Sequence, residues 1–417
     1  MKKVLTILLS VIAVIFILAS IIGPGLILNA DRQEPVAAEY NYSEVFFDEY
    51  EEVRNHFLQK SEELMAQNEN SDLYSHPINR DEELYIDTLY LPGKTEQTNL
   101  VVLTTGVHGI EGYIGSVMLD VFWEEIYPQI NKENTGVLVI ANVNPYGMKY
   151  HRRYNENNVD LNRNFIIDWN SFDMTVNQDY PKVDKFLGPQ KRMNNAVWNE
   201  AAFYASLAKE VVVNGADSIS NALLGGQYEY PEGVYYGGNG YEKSTAYVKD
   251  VFEWTLDAGD YENIVHIDIH SGYGPRYNMV IFNSVYETMN EAETKALFGY
   301  DNVISHDSEA FYPTTGDTTD YYYRLREKMK SDATLFSTCF EFGTIGDSFL
   351  DSIISMKYTI EENRNHWYPT KNRVMDEIVK ERYQELFYPT EKEWREKTVA
   401  DFAAACKGVL NAKLISG

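Results

Sequence analysis

Gly106-Val107-His108-Gly109-Ile110-Glu111-Gly112 follows an apolar, β-branched run over 100–105 and precedes a helical pattern over 114–127. The stretch therefore reads as the turn between a buried strand and a helix. His108 and Glu111, three residues apart, can converge on one point there. An imidazole and a carboxylate converging at a strand end are two-thirds of the protein donors of a hydrolytic zinc site. A lone His-x-x-Glu is more often a solvated helix pair, so the remaining parts must come from elsewhere in the chain.

Bulk properties narrow the field. The chain has 417 residues and a formal net charge of −27. That charge argues against nucleic acid and anionic lipid as partners of the folded body. It also means that an anionic substrate needs a local cluster of arginines. Cys339 and Cys406 are far apart and show neither metal-ligand spacing nor a disulfide framework, and Cys339 falls in an apolar strand as a buried thiol. Lys2-Lys3 precede an apolar run from 4 to 22 that continues past Gly23-Pro24-Gly25 to Leu28. A membrane-spanning helix needs about 20 such residues, whereas a cleavable signal has a core of about 7–15. Residues 1–30 are thus read as a membrane anchor or signal segment, and 31–41 as a linker. The expected location is the cell membrane, single-pass, with the body outside the cytoplasm. Cleavage near Ala30 and release is the alternative.

Beyond the linker, 42–417 reads as one body, helical from about 346 onward. Strand patterns fall at 84–91, 100–105, 136–143, 263–269, 277–282 and 334–340, and helical patterns at 43–68, 114–127, 195–213, 243–256, 287–297 and 317–330. This alternation predicts an α/β fold with a mixed, largely parallel central sheet flanked by helices. A Gly/Tyr-rich segment, 225–240, has no period and reads as a rim loop or a plain surface loop. Four polar clusters follow predicted strand ends: His108/Glu111, the 152–163 loop, His270 and Glu341. Open α/β sheets bind ligands at such ends. His270, in Ile269-His270-Ser271, offers a third metal donor, with Asp268 on the same strand face as its hydrogen-bond partner. Two His and one Glu leave a zinc position free for water, and a neighbouring carboxylate can take that water's proton. Glu341, between Phe340 and Phe342, suits that part, and the bland alternative is a buried carboxylate paired with an arginine. The 152–163 loop carries Arg152, Arg153 and Arg163, whose forks fit carboxylates or an oxyanion. The competing reading is surface pairing with Glu156 and Asp160. His56, His76, His306 and His366 read as structural or solvated, and His266 as a core or supporting residue.

Taken together, these pieces resemble the zinc metallocarboxypeptidases of the carboxypeptidase A type, and the resemblance spans roughly 42–370. The matching motifs are His108-x-x-Glu111, Asp160-x-Asn162-Arg163-Asn164 before an aromatic, Ile269-His270-Ser271 and Phe340-Glu341. Closer still is a bacterial branch known as a domain of unknown function, which carries phrases seen here at 108–112, 144–147, 152–165 and 236–238. The resemblance implies one zinc ion held by His108, Glu111 and His270, with Glu341 as general base. It implies that Arg153 polarises the scissile carbonyl, with Arg152 competing for that role, and that Asn162 and Arg163 hold a terminal carboxylate. Tyr312, four residues before Gly316, is similar to the family's mobile substrate-contacting tyrosine. The expected activity is carboxypeptidase action on a peptide with a free carboxylate. The short arginine loop is closer to the desuccinylase and aspartoacylase relatives, so hydrolysis of N-acyl amino acids is the alternative. No residue deep in a side-chain pocket can be matched, so side-chain preference stays open.

Overall fold

Eight strands form one sheet: β1 (Asp72–Asn79), β2 (Leu84–Leu91), β3 (Asn99–Thr105), β4 (Thr135–Ala141), β5 (Asn263–Ser271), β6 (Met279–Asn283), β7 (Val303–Ile304) and β8 (Thr334–Phe342). Their spatial order is β1-β2-β4-β3-β5-β8-β6-β7. The computed structural model describes residues 42–257, 261–308 and 314–414, so the apolar N-terminal segment and Tyr312 lie outside the described residues. Among those described, no helix is long and apolar enough to cross a membrane.

The middle strands β4, β3, β5 and β8 are parallel, while the β1/β2, β2/β4 and β6/β8 pairs are antiparallel. The expected mixed sheet with a parallel centre is therefore present. Its central strands are covered on both faces, which explains their uninterrupted apolar runs. Every residue of β3 and β4 is buried. The helix Gly112–Val121 packs on one face, where a Cβ on Gly115 would lie 2.7 Å from Thr105 Cβ. The helices Lys243–Asp257 and Thr318–Met329 cover the other, and Phe252 and Tyr322 from them meet the ring of His266. From β3 the chain crosses to β4 on one side, whereas β5 lies on the other. That divergence opens a crevice at the carboxyl ends of β3 and β5.

Some elements were not legible as periodic patterns. β1 holds Pro77 and sits at the sheet edge, where proline is tolerated and alternation is weak. The helices Tyr180–Leu187 and Ala216–Leu224 join Ala196–Asn214 in a separate bundle. It has its own apolar cluster, including Tyr154, Tyr180, Phe203, Ile219 and Val234. The long 43–68 pattern resolves into a short turn followed by the helix Tyr50–Met65.

Candidate active site

The turn after β3 is fixed by close backbone packing. A Cβ on Gly109 would lie 2.1 Å from the carbonyl carbon of Gly147, so no side chain fits between the two loops. Two backbone bonds stitch the turn to the arginine loop: Gly109 N–H to Arg153 O (3.2 Å) and Ile110 N–H to Arg152 O (2.9 Å). Asn144 completes the junction, accepting from Gly147 N–H (2.9 Å) and donating to Arg153 O (3.0 Å). The stretches Gly106–Gly112 and Asn144-Pro145-Tyr146-Gly147 are thus two halves of one joint, which sets Arg153 beside His108.

His108, Glu111 and His270 meet there, all buried, with one potential ligand atom from each within 4.8 Å of the others. Glu111 Oε1 lies 2.9 Å from His108 Nδ1, and Glu111 Oε2 lies 2.9 Å from His270 Nδ1. The two Nδ1 atoms are 3.1 Å apart. The outward nitrogens face carboxylates: His108 Nε2 to Asp160 (3.2 Å) and His270 Nε2 to Asp268 (2.9 Å). These partners favour the proton on Nε2 and turn both Nδ1 lone pairs inward. Two lone pairs and a carboxylate facing one point repel one another unless a cation sits between them. By donor chemistry the set fits a divalent metal such as zinc. Burial by itself would raise the Glu111 carboxyl, but the facing His108 and His270 outweigh it and hold Glu111 down to about 2. Burial opposes charge on His270, whereas Asp268 and Glu111 favour it and raise it well above the usual histidine range, so a proton and a metal ion compete for its inward Nδ1.

Behind His270 runs a buried polar chain on one sheet face. Asp268 accepts from Thr104 Oγ1, Thr104 meets His266 Nε2 at 3.0 Å, and His266 Nδ1 meets Ser337 Oγ at 2.8 Å. Burial lowers His266 to about 4, so it serves this chain as a neutral ring. His266 is a supporting core residue, as its strand parity suggested.

Register brings in Glu341. It pairs with His270 across β5/β8 and so flanks the donor set on the neighbouring strand. Tyr273 N–H donates to Glu341 Oε1 (3.1 Å), and Cys339 Sγ lies 3.8 Å from Oε2. Burial and then the charge of Glu111 push Glu341 up to about 8. Cys339 is also raised by burial and stays a neutral thiol at the cavity wall.

A cavity of about 370 Å³ joins these groups to Arg153, Asn162 and Arg163. Arg153 bonds Asp160 through Nε (2.8 Å) and stands 3.5 Å from Glu111 through Nη1. Asn162 Oδ1 accepts from both Thr318 N–H and Thr318 Oγ1 at 2.9 Å, which leaves its amide nitrogen as the free donor. Arg163 is 5% exposed, and among the described residues it donates only to the carbonyls of Asn162 and Leu224 and its Nε has no partner. Among the described residues it forms no ion pair. Arg152 requires a correction as a candidate for the substrate. Its guanidinium is buried against Glu362 (2.7 Å), Asn158 and Asn363, ties the loop to the helix Phe349–Trp367, and does not line the cavity.

One feature escaped sequence reasoning, and one open alternative is decided. Asp160 bridges His108 and Arg153, whereas the sequence marked it only as a possible surface partner and as the first residue of the Asp160-x-Asn162-Arg163 motif, with no part beside the metal donors. Its position two residues before Asn162 was the available signal. The 225–240 segment is a rim loop after all: Tyr235 lines the cavity, and Asp160 N–H donates to Tyr236 O (2.7 Å).

Several solved structures resemble this chain. Carboxypeptidase A from Helicoverpa armigera is 15% identical, with 84% of this chain and 76% of that one covered and a TM-score of 0.43. Bovine thrombin-activatable fibrinolysis inhibitor, in complex with tick carboxypeptidase inhibitor, is 16% identical over 78% of this chain and 99% of that one, with a TM-score of 0.41. Succinylglutamate desuccinylase from Chromobacterium violaceum is 13% identical over 76% and 74%, with a TM-score of 0.33. No curated protein matches the chain. Residues 46–401 match the family described as "Protein of unknown function (DUF2817)", and the chain belongs to that family.

Proposed function

We propose that the protein is a zinc-dependent hydrolase that removes the C-terminal residue of a peptide, a metallocarboxypeptidase. The observation that carries this reading is one cavity holding both a three-donor metal set and a buried arginine with no carboxylate partner among the described residues. An uncompensated buried cation in so acidic a chain calls for an anionic ligand group. The free carboxylate of a substrate answers it.

Zinc, when bound by His108, Glu111 and His270, would supply a Lewis acid and lower the pKa of water towards about 7. Glu341 takes the proton of the attacking water at a carboxylate oxygen and delivers it to the leaving amine. Whatever offsets the charge of Glu111 also removes one of the two causes that raise Glu341, so the base ionises more readily once the donor set is filled. Arg153, held by Asp160, presents its guanidinium to the oxygen that becomes negative as the carbonyl is attacked. Arg163 and the amide of Asn162 hold the carboxylate and so align the scissile bond.

A second reading, hydrolysis of N-acyl amino acids, is favoured by one feature. The bundle that includes Ala216–Leu224 closes one side of the cavity with Ser220, Leu223 and Leu224, which suits a short substrate. Steady-state assays of zinc-loaded protein on benzoylglycyl amino acids, longer peptides and N-acyl amino acids separate the two. Either substrate class needs its carboxylate held. Arg163→Ala is therefore expected to lower kcat/KM by roughly 100-fold, mostly through KM. Equal activity on carboxyl-amidated substrates would sink the carboxylate role of Arg163.

A further inference from the structure

Tyr235 has a φ of 56°, in the left-handed region. An aromatic residue stays there only when its surroundings force it. Here they do so from both sides. Tyr235 N–H donates to the Tyr154 hydroxyl (3.2 Å), and its carbonyl accepts from Gln227 N–H (3.0 Å). Before it, Gly233 O accepts from the Asn158 side chain (3.1 Å), and after it, Tyr236 O accepts from Asp160 N–H (2.7 Å). The segment is thus tied along the arginine loop. The left-handed turn lets neighbouring side chains diverge: Val234 packs in the bundle cluster, Tyr236 in the main core, and Tyr235 lines the cavity.

In the cavity the ring meets Arg153, whose guanidinium carbon lies over it, 5.4 Å from its centre. The other contacts of this guanidinium are at its edge: Nε to Asp160 (2.8 Å) and Nη1 to Glu111 (3.5 Å). Edge contacts alone leave the plane free to rock, whereas an aromatic face against the cation fixes its tilt. Arg152 offers a comparison. Its guanidinium carbon lies 5.5 Å from the centre of the Tyr154 ring, but the group is spent on Glu362. Adjacent arginines therefore rest on two tyrosines, and those tyrosines are themselves joined by the bond from Tyr235 N–H to the Tyr154 hydroxyl.

We propose that Tyr235 is a positioning residue for Arg153: its ring holds the guanidinium plane facing the cavity, and the left-handed backbone is what puts the ring there. The role rests on the hydrolase reading, in which Arg153 meets the oxygen that becomes negative. A guanidinium tilted away from that oxygen loses transition-state stabilisation, while ground-state binding through Arg163 is untouched. The effect therefore belongs to kcat and not to KM.

The test uses the full chain loaded with zinc and the benzoylglycyl amino acid it cleaves best. Tyr235→Asn removes the ring and places there a residue that tolerates the left-handed region. It is expected to lower kcat roughly 10-fold with KM within about 2-fold of wild type, and Tyr235→Phe to keep at least about half of wild-type kcat. In an Arg153→Ala background Tyr235→Asn is expected to cost less than about 2-fold more, because the residue it acts through is gone. Losses that multiply in the double variant overturn the inference, since Tyr235 then acts independently of Arg153. So do a loss confined to KM, an unchanged kcat in Tyr235→Asn, and a Tyr235→Phe enzyme as slow as Tyr235→Asn. If Tyr235→Asn melts well below wild type, Tyr235→Leu, which keeps the apolar bulk, takes its place in the same cycle. A wild type that cleaves neither benzoylglycyl nor other N-acyl amino acids fails the hydrolase reading and takes the inference with it, whereas independent losses in an active enzyme fail the inference alone.

Discussion

Glu341→Gln is expected to lower kcat by roughly 1,000-fold or more while leaving KM and metal content nearly unchanged. The amide keeps the size of the carboxylate and can still accept from Tyr273 N–H, so β8 and the cavity wall stay in place. What it loses is the ability to take a proton. The expected signature is a fall confined to turnover, with about one zinc per chain and an unchanged melting temperature. A variant that retains more than about a tenth of wild-type turnover would remove Glu341 from the proton transfer and return it to the plain part of a buried carboxylate.

The second large effect concerns the metal. Zinc at a thousandfold excess over its dissociation constant should stabilise the wild type by about 4 kcal/mol, because only the folded chain assembles the donors. His108→Ala removes one of three donors and leaves Glu111 and Asp160 facing a gap. Zinc content is expected to fall to background, and the zinc-induced rise in melting temperature to vanish. Asp268→Asn should weaken zinc about 10–100-fold while leaving the three donors in place, since it disturbs only the partner that orients His270. Elemental analysis and thermal melts with and without zinc read both variants. A zinc-dependent rise that persists in His108→Ala would place the metal elsewhere.

Much of this site could be read from the chain because strand parity and strand ends are local properties. His266, Asp268 and His270 alternate along one strand, so their shared face follows from a period of two. The turn around His108 and the strand end at Glu341 follow from where apolar runs stop. What could not be read depended on tertiary choices. Arg152 and Arg153 are adjacent and alike in sequence, yet one is buried against Glu362, 210 residues away, while the other faces Asp160 and the cavity. Nothing local distinguishes them. The edge strand β1 was hidden by its proline, and in the bundle beside the cavity the helices Tyr180–Leu187 and Ala216–Leu224 were too short to show a firm period, whereas Ala196–Asn214 was legible. The asparagines of the 152–165 phrase are mostly backbone ties: Asn158 bonds Pro231 O and Gly233 O, and Asn164 bonds Gly237 O and Gly240 O.

The register of β3 against β5 also has a consequence for how the protein folds. His108 and His270 are 162 residues apart, and Thr104 pairs with Asp268 only when these parallel strands have aligned. Such non-local pairing is slow, because loop closure precedes any gain from it. The donor set is therefore expected to come into being late, after the rate-limiting step. Zinc should leave the refolding rate untouched and slow unfolding instead, so the ion would act as a latch on the finished sheet and not as a template for building it. Stopped-flow refolding that accelerates with added zinc would contradict this order of events.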